Sequence, residues 1–383
     1  MLLRGVWEAL LVTSSGQHRS PSFRGRAFKT GRAFFLRPRS FSAALLVVAA
    51  AAALPLSAAA ATVTSATPIR DTILPASGLR YLSTTAASWG GTVTAATGER
   101  VTIRMSDGYQ QDPAVPQRWA NFLASLLHGS ELQTVVLYLA PFSEVQRICG
   151  RGALACYNPS DSLIVAPGEN VAPDISAESV VMHEYGHHVA ASRSDAPWEA
   201  VDYGTKRWSS YVQVCAKSRT GQLVPGAEDS DNYRLNPGEA FAEAYRVLNE
   251  HRLGVGESPW DIVTDSLYPD ATALSLIEQD VTTPWTGNAV TSSTPALTKG
   301  AKTRNVSFST PLDGTARVTI RGVRNARAAL DLYNSAGGLV AHTVVTGATT
   351  RSLSTTVCGT RAYRARLTLQ RGSGRFQLAV SKP

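Results

Sequence analysis

Residues 176–192 read SAESVVMHEYGHHVAAS, and this stretch decides how the rest of the sequence is interpreted. Its apolar residues follow helical spacing, and it contains an H-E-x-x-H sequence that begins at His183. Residues four apart on a helix lie on the same face, so His183 and His187 can both bind one metal ion. Glu184 lies about 100° around the helix from His183, where it can act as a general base on water at that metal. The stretch therefore predicts a zinc site with a base beside it.

A third metal ligand has to come from outside this helix. The residue six positions after His187 is Arg193, so the longer H-E-x-x-H-x-x-G-x-x-H sequence of metzincins is absent. Asp195 and Asp202 follow the helix closely and are candidates, because aspartate can bind zinc. His188 lies on the packing side of the helix, and we expect it to be a satisfied core or surface histidine rather than a ligand.

A second predicted helix supplies two further carboxylates. Residues 236–245 read NPGEAFAEAY, in which Asn236 suits the N-cap and Pro237 suits the first helical position. Glu239 and Glu243 then lie one turn apart on the same face. Glu239 also stands at the position of a capping-box glutamate, so a purely structural role for it remains an alternative.

The two helices together resemble those of the gluzincin group of zinc peptidases. In that group an H-E-x-x-H helix is followed by a helix with a glutamate ligand, often within E-x-F-A-E, and residues 239–243 (EAFAE) are similar. The resemblance implies that Glu239 is the third ligand to Zn²⁺ and that Glu243 orients a ligand histidine, although the reverse assignment stays open. It also implies that Tyr233 stabilises the oxyanion; a packing tyrosine is the alternative.

These residues predict a secreted zinc-dependent peptidase, in particular an endopeptidase, that cleaves peptide or protein substrates. Zinc would lower the pKa of water to about 7 and polarise the scissile carbonyl, while Glu184 accepts the proton. The alternative is an exported envelope protein that keeps a structural zinc and binds a partner without catalysis. Structural zinc sites usually have four protein ligands and need no base, so Glu184 beside the histidine pair favours the enzyme.

The pattern of the chain around the zinc helix predicts an α+β fold. Residues 92–105, 134–140 (TVVLYLA) and 162–166 (SLIVA) are typical of strands in a small mixed sheet, and residues 198–216 are typical of a helix. We therefore expect a zincin-like catalytic domain over residues 62–290. By analogy with other zincins, strand 162–166 is the candidate for pairing edge to edge with the substrate backbone, and a purely structural strand is the alternative.

The C-terminal part of the chain has a different pattern. Residues 291–304 are mostly polar and small and indicate a linker, whereas residues 305–383 form short alternating runs separated by turn residues. That pattern predicts an antiparallel β-sandwich. Residues 330–333 (LDLY), 337–340 (GGLV) and 374–378 (GRFQL) resemble the prepeptidase C-terminal domain of secreted bacterial proteases. The resemblance implies an accessory module that contacts the cell envelope or another extracellular surface.

The N-terminal residues predict export. Residues 1–40 contain eight Lys or Arg and one acid, Glu8, and residues 43–61 form an apolar run that ends in small residues. Residues 1–61 therefore indicate a signal peptide with a long basic start, and an uncleaved anchor at 43–61 is the alternative. Without residues 1–61 the formal charge falls from +8 to +1, so the sequence predicts no nucleic-acid partner.

Four cysteines occur in the chain, and an exported protein can oxidise them to disulfides. Cys149 and Cys156 lie close together in the segment CGRGALAC and could close a small loop. Cys215 with Cys358 would then join two distant regions, although three connectivities are possible. None of the spacings resembles a cysteine zinc site.

Overall fold

The computed structural model describes residues 88–228, 231–359 and 361–383, all within one compact unit, Thr64–Pro383. The predicted signal peptide at 1–61, with its alternative reading as an anchor at 43–61, lies outside the described residues. Within the described part of the chain, no helix is long and apolar enough to cross a membrane. Helices and a mixed sheet come first, and strands follow, so the protein has a mixed α/β fold with a β-rich C-terminal region.

A five-stranded mixed sheet begins the described chain. Its strands are β1 (Ser88–Thr94), β2 (Arg100–Ser106), β3 (Val136–Ala140), β4 (Cys156–Asn158) and β5 (Leu163–Pro167). The order in the sheet is β1-β2-β3-β5-β4. Strand β3 is parallel to β2 and to β5, and the two outer pairs are antiparallel. The small mixed sheet expected from the sequence is therefore confirmed.

The position of β5 corrects the expectation that strand 162–166 offers an edge to the substrate. Ile164 of β5 pairs with Leu137 of β3 on one side and with Tyr157 of β4 on the other. Both backbone edges are thus occupied at this point, and the edge strand is β4. Short apolar strands look alike in sequence whether they are inner or outer, because only the pairing in three dimensions distinguishes them.

The described helices pack against this sheet or against one another. They are α1 (Ala114–Ser125), α2 (Phe142–Cys149), α3 (Ala177–Ala191), α4 (Ala200–Tyr203), α5 (Lys206–Tyr211), α6 (Val214–Arg219), α7 (Pro237–Leu253) and α8 (Ala271–Thr282), with 3-10 turns at Ser130–Gln133, Tyr233–Leu235 and Asp265–Leu267. A short hairpin, β6 (Ser194–Asp195) with β7 (Trp198–Glu199), separates α3 from α4. The core between sheet and helices includes the buried side chains of Trp119, Leu137, Tyr185 and Phe241.

Residues 198–216 do not form the single helix expected from the sequence. The segment begins with β7 and is then divided into α4, α5 and α6, because Gly204 (φ 78°) has a positive φ and Gln213 (φ 64°) adopts the left-handed helical conformation. Such a conformation ends a right-handed helix. Glutamine rarely adopts it, so the sequence carries no signal for the second break.

The C-terminal strands form two four-stranded antiparallel sheets. They are β8 (Ala289–Ser293), β9 (Ala296–Leu297), β10 (Thr303–Thr310), β11 (Gly314–Arg321), β12 (Arg327–Asn334), β13 (Leu339–Thr346), β14 (Thr350–Val357), β15 (Arg361–Arg371), β16 (Gly374–Arg375) and β17 (Gln377–Lys382). One sheet has the order β10-β15-β12-β13 and the other β14-β11-β17-β8, while β9 pairs with β16. Both sheets contribute side chains to one buried cluster, which includes Val318, Leu330 and Phe376. The antiparallel C-terminal region expected from the alternating pattern is confirmed.

Residues 291–304, where the composition indicates a linker, contain the end of β8, all of β9 and the first two residues of β10. Strand β8 is exposed along its whole length and pairs with β17, as Thr291 does with Val380. An edge strand of this kind is held by backbone hydrogen bonds, so small polar residues can form it without an apolar pattern.

Two disulfides, Cys149–Cys156 and Cys215–Cys358, join the pairs that the sequence favours. The first closes the loop between α2 and β4. The second joins α6 to the residue after β14, across 143 positions of sequence, with Cα atoms 5.4 Å apart. Disulfides indicate an extracellular or otherwise oxidising compartment.

Candidate metal centre

Helices α3 and α7 pack closely against each other, and Gly186 allows the approach. A Cβ atom at Gly186 would lie 2.8 Å from Ala242 Cα and 3.1 Å from the Ala242 carbonyl oxygen, closer than packed atoms tolerate. Ser176 and Asn236 cap the two helices, each accepting a hydrogen bond of 3.0 Å from a backbone N–H in the first turn. Both helices therefore begin at defined residues and face each other at short range.

This packing brings together three of the predicted ligands, His183, His187 and Glu239. The Nε2 atoms of His183 and His187 lie 3.1 Å apart, and Oε2 of Glu239 lies 3.3 Å from each of them. Ligands about 2.0–2.1 Å from a tetrahedral ion are separated from one another by about 3.3 Å. The three atoms thus have the mutual spacing of three corners of such a site. This buried His-His-Glu group could hold a metal ion.

Glu243 lies behind His183, where its predicted orienting role would place it. Nδ1 of His183 donates to Oε1 of Glu243 at 3.1 Å, which presents Nε2 to the ligand group. Arg246 holds the other oxygen, with its Nε 2.7 Å from Oε2 of Glu243. Burial alone would raise the pKa of Glu243, but the hydrogen bond from His183 and the charge of Arg246 outweigh it. The pKa of Glu243 therefore lies below its ordinary value of 4.5.

We expect Glu243→Gln to weaken metal binding about 10- to 100-fold, because an amide orients the His183 ring less firmly than a carboxylate. The measurement is a competition titration against a chromophoric chelator. Glu250→Gln is the matched control, since Glu250 also accepts from Arg246, at 2.6 Å, but lies about two helical turns beyond Glu243. Equal losses in the two variants would show that the Arg246 contacts as a whole, and not the bond to His183, govern metal affinity.

Tyr233 lies in the 3-10 turn just before α7 and is buried. Its hydroxyl donates to Oε2 of Glu239 at 2.8 Å. This is the same oxygen that faces the two histidines. Tyr233 therefore contacts the ligand group directly and helps to orient the Glu239 carboxylate.

Glu184 is fully buried on α3 and lines a pocket beside His183. The pocket has a cavity volume of about 70 Å³. Its apolar wall contains Leu154, Ile175, Val180 and Ile262. A buried carboxylate therefore borders both the ligand group and a largely apolar cavity.

His188 takes no part in the ligand group. Its Nε2 lies 2.9 Å from the Glu131 carbonyl oxygen, and its Nδ1 lies 3.0 Å from the Tyr157 hydroxyl. Burial lowers the pKa of His188, because the charged imidazolium is poorly solvated there. His188 is the satisfied core histidine that the sequence predicts.

Neither alternative aspartate joins the two histidines. Asp195 is buried and accepts a hydrogen bond of 2.8 Å from Lys206 Nζ. Asp202 is partly buried, which raises its pKa, and it is not a member of the converging group. Among the described residues, Glu239 is therefore the carboxylate that completes the group.

One buried ion-pair network at the centre was not foreseen from the sequence. Arg246 bonds both Glu243 and Glu250, and the Ser179 hydroxyl of α3 donates to Glu250 at 3.1 Å. The network thereby links the two helices that carry the ligand group. Its signal in the sequence is the spacing E-x-x-R-x-x-x-E within α7, which places opposite charges on one helix face.

Comparisons with known proteins do not place the chain in a family. No known family and no curated protein matches it. Among solved structures, the Yersinia pseudotuberculosis-derived mitogen is 11% identical over 25% of this chain and 87% of that one, with a TM-score of 0.21. The pre-peptidase C-terminal domain of a collagenase from Bacillus anthracis is 15% identical over 24% of this chain and 87% of that one, with a TM-score of 0.20. Similarities this weak carry no argument about function.

Proposed function

We propose that this chain is an exported zinc-dependent peptidase in which Glu184 is the general base. The observation that carries the proposal is the convergence of His183, His187 and Glu239 at 3.1–3.3 Å. When bound there, Zn²⁺ would lower the pKa of water to about 7 and polarise the scissile carbonyl. Export is supported by the two disulfides.

The number of ligands supports an enzyme over a purely structural site. Among the described residues three side chains converge, whereas structural zinc usually has four protein ligands. Catalytic zinc sites keep one position for water or substrate. The alternative, an envelope protein with a structural zinc and a binding role, is therefore less well supported.

The position of Glu184 suits the transfer of a proton. It follows the ligand His183 on the same rigid helix and is fully buried. Its carboxylate would accept a proton from the attacking water as the C–O bond forms, and would pass that proton to the amine nitrogen as the C–N bond breaks. Tyr233, whose hydroxyl already reaches Glu239, would donate a hydrogen bond to the oxyanion that forms between these two steps.

The pocket beside the ligand group supports a preference among peptides. The apolar residues Leu154 and Ile262 line this pocket together with Glu184. Such a cavity would hold an apolar substrate side chain next to the scissile bond. Peptides with an apolar residue at that position would be the preferred substrates.

A peptide-library cleavage assay on the purified protein, run with and without phenanthroline, tests the proposal together with elemental analysis. We expect about one zinc per chain, cleavage next to apolar residues, loss of cleavage with the chelator and recovery when zinc is added. A protein that holds zinc but cleaves no member of the library would support the structural alternative. A protein that binds no divalent metal would contradict both.

A further inference from the structure

The formal charge of the chain is divided between its two parts. Residues 288–383 contain 14 Lys or Arg and two acids, Asp313 and Asp331, which gives a formal charge of +12. Residues 62–287 contain 15 Lys or Arg and 26 Asp or Glu, which gives a formal charge of −11. The near-neutral total therefore does not exclude a polyanionic partner for the C-terminal region.

Nine of the basic residues lie at one end of the two C-terminal sheets. The turns β11–β12, β13–β14 and β15–β16 meet there, as the hydrogen bonds from Gly347 N to Ala326 O, 2.9 Å, and from Gly322 N to Thr349 O, 2.8 Å, show. The start of β10 lies beside the end of β15, where Leu369 N donates to the carbonyl of Lys302 at 2.7 Å. The nine residues, named the basic end below, are Lys299, Lys302, Arg304, Arg321, Arg324, Arg327, Arg351, Arg371 and Arg375.

The basic end lies away from the helices. Contacts with the helices occur at the opposite ends of the same strands, where Asp313, just before β11, donates its N–H to Ser210 Oγ at 2.9 Å. Cys358, just after β14, is bonded there to Cys215. A strand of this length spans about 25 Å, so the basic end and the contacts with the helices are about that far apart.

The two acids of residues 288–383 both lie away from the basic end. Asp313 lies at the opposite end of the sheets, where it accepts from Gly359 N. Asp331 lies in the middle of β12, and its oxygens are 2.6 Å from His342 Nδ1 and 3.4 Å from Arg366. All nine basic side chains are exposed, and within the described ranges none of them forms an ion pair with a carboxylate.

Two arginines of the basic end are partners across neighbouring strands. Strands β12 and β15 pair Arg327 with Arg371, next to a shift of register between Arg327 and Ala328. Like charges in that relation destabilise a sheet. An arrangement that lowers stability and gains no internal counter-charge points to an anion from outside the molecule.

We propose that the basic end is a docking surface for an acidic glycan, a linear polysaccharide that carries carboxylates. Seven of its nine residues are arginine, whose planar guanidinium binds a carboxylate through two parallel hydrogen bonds. A groove lined in part by Arg321 also presents neutral polar groups. These are the hydroxyl and amide side chains of Ser292, Thr319, Thr350 and Gln377. Such groups bond the hydroxyls of a sugar chain, while the arginines bind its charges.

Other polyanions match this surface less well. Single-stranded nucleic acids are held by stacking on aromatic rings, and membrane surfaces by inserted apolar side chains. Over the described ranges, the large apolar side chains that are exposed lie elsewhere, and those of the two sheets, Val290, Leu339 and Val340, lie at the opposite strand ends. Phe376, which follows Arg375, is fully buried.

The test compares two triple variants of the full chain that lose the same charge. One removes three charges from the basic end, with Arg324→Gln, Arg327→Gln and Arg371→Gln. The control removes three exposed charges from α1, α6 and the start of β15, with Arg118→Gln, Arg219→Gln and Arg361→Gln. Binding to immobilised polygalacturonate is measured at about 0.15 M salt, and thermal unfolding of each variant is followed.

We expect the unsubstituted protein to bind polygalacturonate but not neutral dextran, with affinity that falls steeply as salt rises. The basic-end variant should bind at least about tenfold more weakly. Its unfolding temperature should be unchanged or higher, because the repulsion between Arg327 and Arg371 is relieved. The control variant should bind as the unsubstituted protein does. Binding should persist with a chelator present, so the result is independent of the proposed peptidase activity.

Absence of binding to polygalacturonate at that salt concentration would overturn the proposal. Equal losses in the two triple variants would also overturn it, because they would reflect net charge alone. Tighter binding to duplex DNA, or to phosphatidylglycerol vesicles, than to polygalacturonate would overturn it in favour of that other class of polyanion.

Discussion

Replacing Glu184 by Gln is expected to lower the rate of peptide hydrolysis by at least about 10²-fold, the usual loss when a general base is removed, while zinc content stays unchanged. Glutamine has nearly the shape of glutamate but cannot accept the proton of the attacking water. The ligand group of His183, His187 and Glu239 is left in place. The measurement is kcat on a peptide selected from the library, with zinc determined on the same sample.

Glu178→Gln is the matched control for this substitution. Glu178 lies on the same helix, in the first turn of α3, and is outside the ligand group. The control variant should keep both its zinc and its activity. If Glu184→Gln retained full activity with zinc bound, another group would have to take the proton and the mechanism would be wrong. If it lost its zinc, Glu184 would have a structural role in holding the site.

The histidine pair could be predicted from sequence because helix geometry alone places it. Residues four apart on α3 bring Nε2 of His183 within 3.1 Å of Nε2 of His187. Glu239 lies on a different helix; the helical pattern of residues 236–245 offered it as one of several carboxylates, and the resemblance of its motif to that of known peptidases favoured it as the third ligand. The contact that brings it to the histidines, between Gly186 and Ala242, joins residues far apart in sequence. No pattern in one sequence indicates which two helices will touch.

Helices and strands could be predicted where the apolar residues have a regular period. The predictions were wrong where the structure depends on the conformation of a single residue or on which strands pair. The alternating runs after residue 305 became antiparallel strands, as expected. The helix predicted over 198–216 is broken at Gln213, whose left-handed conformation no composition rule suggests. Strand β5, the expected edge, is an inner strand, because its apolar residues are equally typical of both positions. The total charge of residues 62–383 does not reveal the opposite charges of the two parts, because they cancel.

Replacing Arg246 by Met is expected to reduce the free energy of unfolding by about 3–5 kcal/mol at neutral pH. Arg246 is 2% exposed, and its guanidinium lies 2.7 Å from Glu243 and 2.6 Å from Glu250. Both carboxylates are also buried. Methionine retains much of the apolar stem, so the main loss is the cation between two buried anions. Unfolding in denaturant, with a chelator present so that metal binding does not contribute, gives the free energy.

At acidic pH, the Arg246→Met variant should be less destabilised relative to the unsubstituted protein than it is at neutral pH. The pKa of Glu243 lies below 4.5 in the folded protein, because the bond from His183 and the charge of Arg246 outweigh burial. A depressed pKa contributes stability above the ordinary value of that pKa, and the contribution disappears as pH falls through the folded value. Without Arg246 the pKa of Glu243 rises, so the carboxyl becomes neutral at a higher pH. The variant and the unsubstituted protein should therefore converge in stability as the solution is acidified.

A triple variant distinguishes two causes of the lost stability: the uncompensated charges of the buried carboxylates, and the loss of the arginine side chain itself. Adding Glu243→Gln and Glu250→Gln to Arg246→Met neutralises the two partners at nearly constant volume. Because the loss is attributed to uncompensated buried anions, this variant should recover most of the stability at neutral pH and lose the pH dependence of the single variant. If it remained as unstable as Arg246→Met, the guanidinium's bonds to the Ser258 and Pro259 carbonyls, each 3.3 Å, and the packing of its stem would have to carry the stability instead.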